Sequence, residues 1–411
     1  MFRIGVIGCG WIVRLSHIPA ILKTPEGIIT AFYSRTPKSA KKTMKGYHRK
    51  VKRDLRKAEG YNDKVLLKQA LKSKVYTNLE EFFNVIDGVD IATSPDTHMK
   101  YAKIAAEHGK SIMLEKPPSR TLLEVEDVYD YIKEVPLFMY TQRMYDNQVK
   151  IGRTIIDSGR LGKIKSFRGC LGNEFLLYVH NKEQFWNPKI SGGGALLDLC
   201  PHVYSVFRNW FGLSYKFESV REIDIGTVMK TRKMFGQRNY AVEIDDKAII
   251  DVKFSNFENG DITARFEGYW GNKELYPKDQ TRGYYFRVEG DKAIMSFPYR
   301  EHNMIYYKIE NRNGILEKIP CGNKLFSTGE ENVFRAFIKR QESKNAAWFA
   351  KEMMEILQGG YISHNLEQKE LTRKEIYDFM HSFNEIENKG QRNNAVIETL
   401  FPIEKKDSEI I

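Results

Sequence analysis

Directly after the apolar run Ile4-Gly5-Val6-Ile7 the chain carries a glycine loop, Gly8-Cys9-Gly10. Strand, glycine turn and helix in this order is the arrangement that a dinucleotide pyrophosphate needs. The first glycine permits the tight turn, and the second lets the backbone approach the phosphates. The helix that opens at Trp11 and Ile12 then directs its free N–H groups and positive dipole end toward them. The third fingerprint position holds Val13 in place of glycine or alanine, so a larger side chain stands where strand and helix pack. Taken alone the loop is equally compatible with an ordinary strand–turn–helix, and its context has to decide.

That context is regular. Apolar strands at Phe2–Ile7, Ile28–Tyr33, Val89–Thr93, Ser111–Leu114 and Leu137–Tyr140 alternate with helical patterns at Asn78–Val85, Thr97–His108 and Thr121–Lys133. Such alternation predicts an α/β domain with a doubly wound parallel sheet, the Rossmann architecture. Past residue 145 the texture changes. Helices at Gln148–Ser158 and near Ala195–Trp210 precede alternating strands at Ala248–Phe254, Ile262–Tyr269, Tyr284–Glu289, Ala293–Phe297 and Ile305–Glu310, and helices resume at Glu330–Lys339 and Ala347–Gln358. This predicts an α+β domain with a large, mostly antiparallel open sheet, one face covered by helices. A chain of 411 residues exceeds one ordinary core. The expected division is residues 1–143, with a basic insertion at about 45–74, then 144–388, then a polar tail at 389–411.

The net charge of +12 raises the question of nucleic acid. About half of it lies in Lys45–Lys57, where seven Lys or Arg face the single Asp54, with only Tyr47 as an interleaved aromatic. A solvated helix accounts for such a run, a local anion site is the second reading, and no nucleic-acid module can be read in the chain. No apolar run approaches the roughly 18 residues of a membrane span. Four cysteines, Cys9, Cys170, Cys200 and Cys321, lie far apart without paired spacing, which argues against a metal site and fits a reducing, cytoplasmic setting.

Four segments carry candidate chemistry. The second strand runs into Ser34-Arg35-Thr36, where a NAD-selecting enzyme would place an acid for the adenosine ribose. Ser34 and Thr36 can donate to a 2′-phosphate and Arg35 can pair with it, so the expected cofactor is NADP, with NAD the second choice. A plain turn with an exposed arginine is the alternative. Next, Thr93-Ser94-Pro95-Asp96-Thr97-His98 joins a strand to a helix at the carboxyl edge of the sheet, where ligands bind in open α/β folds. The following strand ends Glu115-Lys116-Pro117-Pro118, and the prolines fix the chain direction just after Lys116. Its ammonium is placed to bind a substrate oxygen. Finally, Gly192-Gly193-Gly194 opens a helix on which Asp198 and His202 share a face at i, i+4 spacing. An imidazole with a carboxylate neighbour is a proton acceptor near neutral pH, although Asp-x-x-x-His pairs are also structural. Pro201 is read as lying in the first turns, where the glycines already make the backbone irregular.

Gly8-Cys9-Gly10, Ser94-Pro95-Asp96-Thr97-His98, Glu115-Lys116-Pro117 and the Gly192–His202 run occur in the order and spacing of one group of proteins. Together they resemble the glucose–fructose oxidoreductase, inositol dehydrogenase and rhizopine-catabolism (Gfo/Idh/MocA) family. The string Ile155-Ile156-Asp157-Ser158-Gly159-Arg160-Leu161-Gly162-Lys163-Ile164 is also similar to its domain junction. The resemblance covers roughly residues 1–44 and 75–385. It implies reversible hydride transfer between NAD(P) and a sugar, inositol or related polyol. It further implies that Lys116 binds and polarises the reacting hydroxyl, that His202 is the general base or acid, and that Asp198 orients the site. Cofactor contacts would come from Gly8, Gly10, Trp11, Ile12, Ser34, Arg35, Thr36, Ser94, Pro95, His98, Glu115 and Lys116. Arg143, Tyr145, Phe175, Tyr178, His180 and Trp186 belong to segments that could line a sugar pocket, with core packing as the alternative for each aromatic. The open sheet predicts self-association as a homodimer or homotetramer.

The 45–74 insertion, the aromatic loop Phe175–Lys189 and the tail depart from the family pattern. Two other functions fit the fold: a reductase of a non-sugar substrate, and a non-catalytic NADP-binding regulator. The presence of Lys116, Asp198 and His202 together argues against both.

Overall fold

The computed structural model describes residues 1–173, 187–226, 231–234, 237–241, 244–270, 284–325, 327–340 and 346–402. The chain divides into two compact units, each assembled from separate stretches. The first comprises Met1–Ser119, Val125–Lys150 and Phe326–Lys351, and the second Arg120–Glu124, Ile151–Leu325 and Glu352–Ile411.

The first unit is built on six parallel strands: β1 (Phe2–Ile7), β2 (Gly27–Tyr33), β3 (Lys74–Tyr76), β4 (Gly88–Ile91), β5 (Ser111–Leu114) and β6 (Leu137–Met139). Their order is β3-β2-β1-β4-β5-β6, so the winding reverses between β1 and β4, and ligands in such sheets bind at that reversal. Four of the strands are predominantly apolar and, Arg3 and Thr30 apart, buried along their length, as strands covered on both faces are. Asp90 interrupts β4 and is nevertheless fully buried. The basic stretch is more ordered than an insertion suggests. Pro37–Lys57 is one 21-residue helix that buries Ala40, Thr43, Tyr47 and Val51 and leaves most of its lysines in water. Tyr61–Ala70 is a second helix, and β3 joins the sheet on β2. The unit also takes in the helix Gly329–Lys339. Phe337 meets Phe2 and Phe138 with ring centroids 5.3 and 5.7 Å apart, an apolar pairing between segments far apart in the chain that no local pattern announces.

The second unit is dominated by a nine-stranded sheet among its described residues. Its strands are β7 (Ile164–Asn173), β8 (Lys216–Gly226), β11 (Lys247–Ser255), β12 (Ile262–Trp270), β13 (Tyr284–Gly290), β14 (Ile294–Glu301), β15 (Met304–Asn311), β16 (Gly314–Gly322) and β17 (Leu371–Thr372). β9 (Thr231–Met234) and β10 (Gln237–Ala241) form a separate pair. The order is β16-β15-β14-β13-β7-β12-β11-β8-β17, antiparallel throughout except for β7 beside β12. One face is apolar: Ala248, Ile250, Val252 and Phe254 alternate with half-exposed neighbours, as do Ile305, Tyr307 and Ile309. The helix Ala195–Phe211 covers that face, with Phe207 stacked on Phe254 at 4.3 Å and Phe167 edge-on to Trp210 at 5.8 Å.

Two sequence expectations need correction here. Pro201 is the seventh residue of the Ala195–Phe211 helix, in its interior, so the carbonyl of Leu197 lacks its usual N–H donor while the helix continues for ten more residues. In the stretch expected as a tail, Lys389–Leu400 is a helix capped by Asn388 that buries Asn393, Val396, Ile397 and Leu400. Its apolar residues are too sparse to stand out against the polar composition.

Candidate active site

β1 is followed by Gly8, whose φ of 96° lies in the left-handed region. A Cβ there would also press into the backbone of Ala92 and Thr93, so only glycine fits. The N–H of Gly10 donates to the Gly8 carbonyl at 2.8 Å, closing the turn. Two hydroxyls, Ser39 Oγ at 3.2 Å and Thr43 Oγ1 at 2.9 Å, donate to the Cys9 carbonyl and tie the loop to the Pro37–Lys57 helix. Burial pushes the Cys9 thiol up to about 12, so it stays protonated. The residues fit a dinucleotide: a Cβ on Gly10 would meet nothing within 4 Å, leaving open space above the loop for a pyrophosphate. Trp11 is exposed beside it, while Ile12 packs partly onto the core and Val13 is fully buried in it.

At the end of β2, Ser34 is half-buried, and Arg35 and Thr36 are exposed. Thr36 stands at the start of the basic helix without a side-chain capping bond. These three residues leave β2 on the same edge of the sheet as the glycine loop, and no acid is among them.

The remaining loops of that edge are held by two histidines. His98 is 1% exposed. Its Nδ1 lies 2.8 Å from the Pro117 carbonyl and its Nε2 3.1 Å from that of Thr93. The ring therefore lies between the 93–98 loop and the 115–118 loop, each nitrogen facing a backbone carbonyl, and the neutral imidazole donates its one N–H to one of the two. Burial lowers its proton affinity. Ser94 Oγ donates to Asp96, and Pro95 opens the helix Pro95–Glu107. Glu115 uses both oxygens: Oε1 lies 3.0 Å from His17 Nε2, and Oε2 receives the Lys116 N–H at 3.0 Å. His17 Nδ1 in turn lies 2.8 Å from Asp90 Oδ2. Burial by itself would push the His17 imidazole down, yet the charges of Asp90 and Glu115 and the bonds to them outweigh it and hold the ring at about 10. Burial raises Asp90 against the pull of His17. Arg143 and Tyr145 lie in the turn Gln142–Tyr145. Arg143 is 4.0 Å from Asp146, and Tyr145 packs partly onto the core.

In the second unit the helix Ala195–Phe211 carries Asp198, half-buried, and His202, 6% exposed, one turn apart. Asp198 Oδ2 accepts the Trp270 indole N–H at 2.8 Å. The start of the helix is pinned by Asp245. Its Oδ1 accepts from Gly194 N–H at 2.9 Å and from Tyr361 Oη at 2.6 Å, and its Oδ2 accepts from Leu196 N–H at 2.8 Å. A Cβ on Gly194 would collide with the Asp245 carbonyl, which explains a glycine at this point. Burial raises the Asp245 carboxyl to about 6, against those donors. Phe175, Tyr178, His180 and Trp186 lie outside the described residues.

Residues 2–141 match the profile of the Gfo/Idh/MocA oxidoreductase family with its NAD-binding Rossmann fold, and residues 151–296 match the Gfo/Idh/MocA C-terminal domain. The chain belongs to the Gfo/Idh/MocA oxidoreductase family. Levoglucosan dehydrogenase of Pseudarthrobacter phenanthrenivorans is 26% identical over 234 residues, 52% of this chain and 56% of that protein. The match thus spans little more than half of that relative. Oxidoreductase P35 of Formosa agariphila is 24% identical over 332 residues, 76% of this chain and 83% of that one. A levoglucosan dehydrogenase structure in complex with NADH and levoglucosan superposes with a TM-score of 0.67 at 18% identity, covering 90% of this chain and 99% of the other. Within this Gfo/Idh/MocA member, sequence reasoning passed over His17, Asp90, Asp245, Trp270 and Tyr361. For Asp90 a signal existed, an acid inside a strand otherwise buried on both faces. Among the described residues no His/Cys/Asp/Glu cluster could hold a metal ion, and no helix is long and apolar enough to cross a membrane.

Proposed function

We propose that this protein catalyses reversible hydride transfer between a nicotinamide dinucleotide, NADP in preference to NAD, and a hydroxyl group of a sugar, inositol or sugar derivative. The observation that carries this reading is the edge of the first sheet. The glycine loop after β1 leaves open space over Gly10, and on the same edge β5 delivers Lys116 from a backbone anchored by Glu115 and His98. The named relatives support the carbohydrate class, because one is a dehydrogenase of an anhydrosugar. The preference for NADP rests on this chain's own Ser34-Arg35-Thr36, since the superposed relative holds NADH.

Gly8 and Gly10, with Ser34, Arg35 and Thr36, would hold the dinucleotide, whose nicotinamide would supply a hydride acceptor in oxidation and a donor in reduction. The protein's part is to manage the oxygen and its proton. Lys116 binds the reacting oxygen through its ammonium and stabilises the charge that grows there. His202 takes the hydroxyl proton in oxidation and gives one back in reduction. Asp198 orients the substrate, its carboxylate fixed by Trp270. The reaction belongs in a reducing, cytoplasmic compartment, and the open sheet serves self-association.

Lys116→Met and His202→Ala test the reading. Both variants should keep cofactor affinity within a fewfold and lose turnover by orders of magnitude, on the order of 10²–10⁴ for a lost acid–base group. Wild-type turnover in both would refute the assignment. A regulator would bind cofactor and be indifferent to both changes.

A further inference from the structure

His17 plays no part in the chemistry above, yet it occupies the most charged buried position of the first unit. It is fully buried, as is Asp90, and Glu115 is nearly so. The imidazole bridges the two carboxylates at 2.8 and 3.0 Å. Its ring lies against Tyr140 at 4.1 Å and Phe334 at 5.4 Å, so water has little access. Tyr140 directs its own hydroxyl to Ser16 at 2.7 Å and leaves the imidazole to the acids. Asp90 Oδ1 has no hydrogen-bond partner among the described residues, so His17 is what balances that carboxylate.

We propose that His17 is a positioning residue for Lys116, acting as a buried cationic clamp on Asp90 and Glu115 that fixes the backbone from which the lysine side chain springs. Its catalytic meaning rests on the function proposed for Lys116. The chain of contacts is short. Glu115 Oε1 faces His17, and Glu115 Oε2 accepts the Lys116 N–H. On the far side of the lysine, the Pro117 carbonyl is held by His98. Lys116 is therefore anchored through its own N–H on one side and, one residue further on, through the Pro117 carbonyl on the other, and the Glu115 anchor depends on how that carboxylate is oriented. Two acids in a dry pocket cannot both stay ionised without a cation between them. The proton that His17 retains up to about pH 10 supplies that cation. Without it the two acids repel each other. A Glu115 side chain that rotates away from Asp90 then no longer offers Oε2 to the Lys116 amide. The position of His17 follows from the local helix, because the π-helical turn Val13–His17 directs Val13 and His17 inward while Arg14 and Leu15 stay at the surface.

The test uses two variants, His17→Gln and Glu115→Gln, in the full-length protein. Glu115→Gln removes one of the two acids, relieves their repulsion and leaves the His17–Asp90 pair, so it keeps the test open should His17→Gln fail to fold. Lysines are reductively methylated with a ¹³C label, and the Lys116 signal is identified by its loss in Lys116→Met. We expect either folded variant to shift or broaden the Lys116 signal and to lower kcat by about 10- to 100-fold. Affinity for NADPH should stay within about threefold in His17→Gln, since Gly8 and Arg35 are untouched. A role in folding alone would lower the unfolding temperature and leave both the Lys116 signal and kcat as in the wild type; that result would overturn the clamp. A wild type that turns over no sugar or polyol would refute the proposed reaction instead, and the Lys116 signal alone would then decide on His17.

Discussion

Trp270 donates its indole N–H to Oδ2 of Asp198 at 2.8 Å, so the last residue of β12 sets the direction of a carboxylate on the facing helix. The same residue's backbone N–H donates to the Asp246 carbonyl at 2.7 Å, which leaves the indole little freedom to drift. A bond to a charged acceptor contributes roughly 1.5–3 kcal/mol. Trp270→Phe should keep the fold, because the ring stays, and should raise KM or lower kcat by about tenfold or more. Steady-state kinetics on the purified variant check this, and unchanged constants would remove Asp198 from the site.

The two glycines of the first loop should fail in different ways. Gly8→Ala forces a side chain onto φ of 96° and into the backbone of Ala92, and should cost roughly 1–3 kcal/mol or more in thermal unfolding. Gly10→Ala meets nothing within 4 Å and should fold normally. Its methyl group would stand where the pyrophosphate approaches, so cofactor affinity should fall while unfolding temperature holds. Calorimetry and fluorescence titration on the two proteins separate these outcomes.

His17 makes stability depend on alkaline pH. A free imidazole titrates near 6.5 and the folded one near 10, so the folded protein keeps a proton that the unfolded chain releases. The stabilisation is complete below about pH 6.5 and is lost as pH rises through about 10. The slope attributable to His17 is at most about 1.4 kcal/mol per pH unit. Denaturant unfolding at pH 7, 8 and 9 should show a steeper decline for the wild type than for His17→Gln. Parallel declines would mean that His17 is neutral in the folded state.

Cofactor choice turns on Arg35. Arg35→Ala should weaken NADPH binding by roughly 10- to 100-fold, the loss of one charge-assisted bond to a phosphate, and leave NADH within about twofold. Equal losses for the two cofactors would show that the Ser34-Arg35-Thr36 turn reads no phosphate.

Much of this architecture was legible because it rests on local patterns. All five strands predicted for the first domain are present, with ends moved by one or two residues, because a parallel sheet covered on both faces writes itself as apolar runs. β3 escaped notice, since an exposed lysine and two half-buried residues carry no run at all. β7 escaped too: its glycines and arginine blur the alternation. The candidate site divides along the same line. Gly8, Lys116, Asp198 and His202 are marked by neighbours in sequence, whereas His17 with Asp90, and Asp245 with Tyr361, are pairs made by folding across 73 and 116 positions. His98 and Glu115 were expected at the cofactor. In the structure the His98 nitrogens face two backbone carbonyls and the Glu115 oxygens face His17 and the Lys116 N–H, contacts that depend on which loops become neighbours.

The central claim is hydride transfer from a carbohydrate hydroxyl, and isotope transfer tests it most directly. The protein is incubated with NADP and a set of aldoses, alditols and inositols deuterated at carbon, and the reduced nicotinamide is examined by mass spectrometry. The account predicts deuterium in the reduced cofactor with at least one of these substrates, and none with Lys116→Met. A protein that binds NADPH tightly yet moves no deuterium from any sugar or polyol would contradict it.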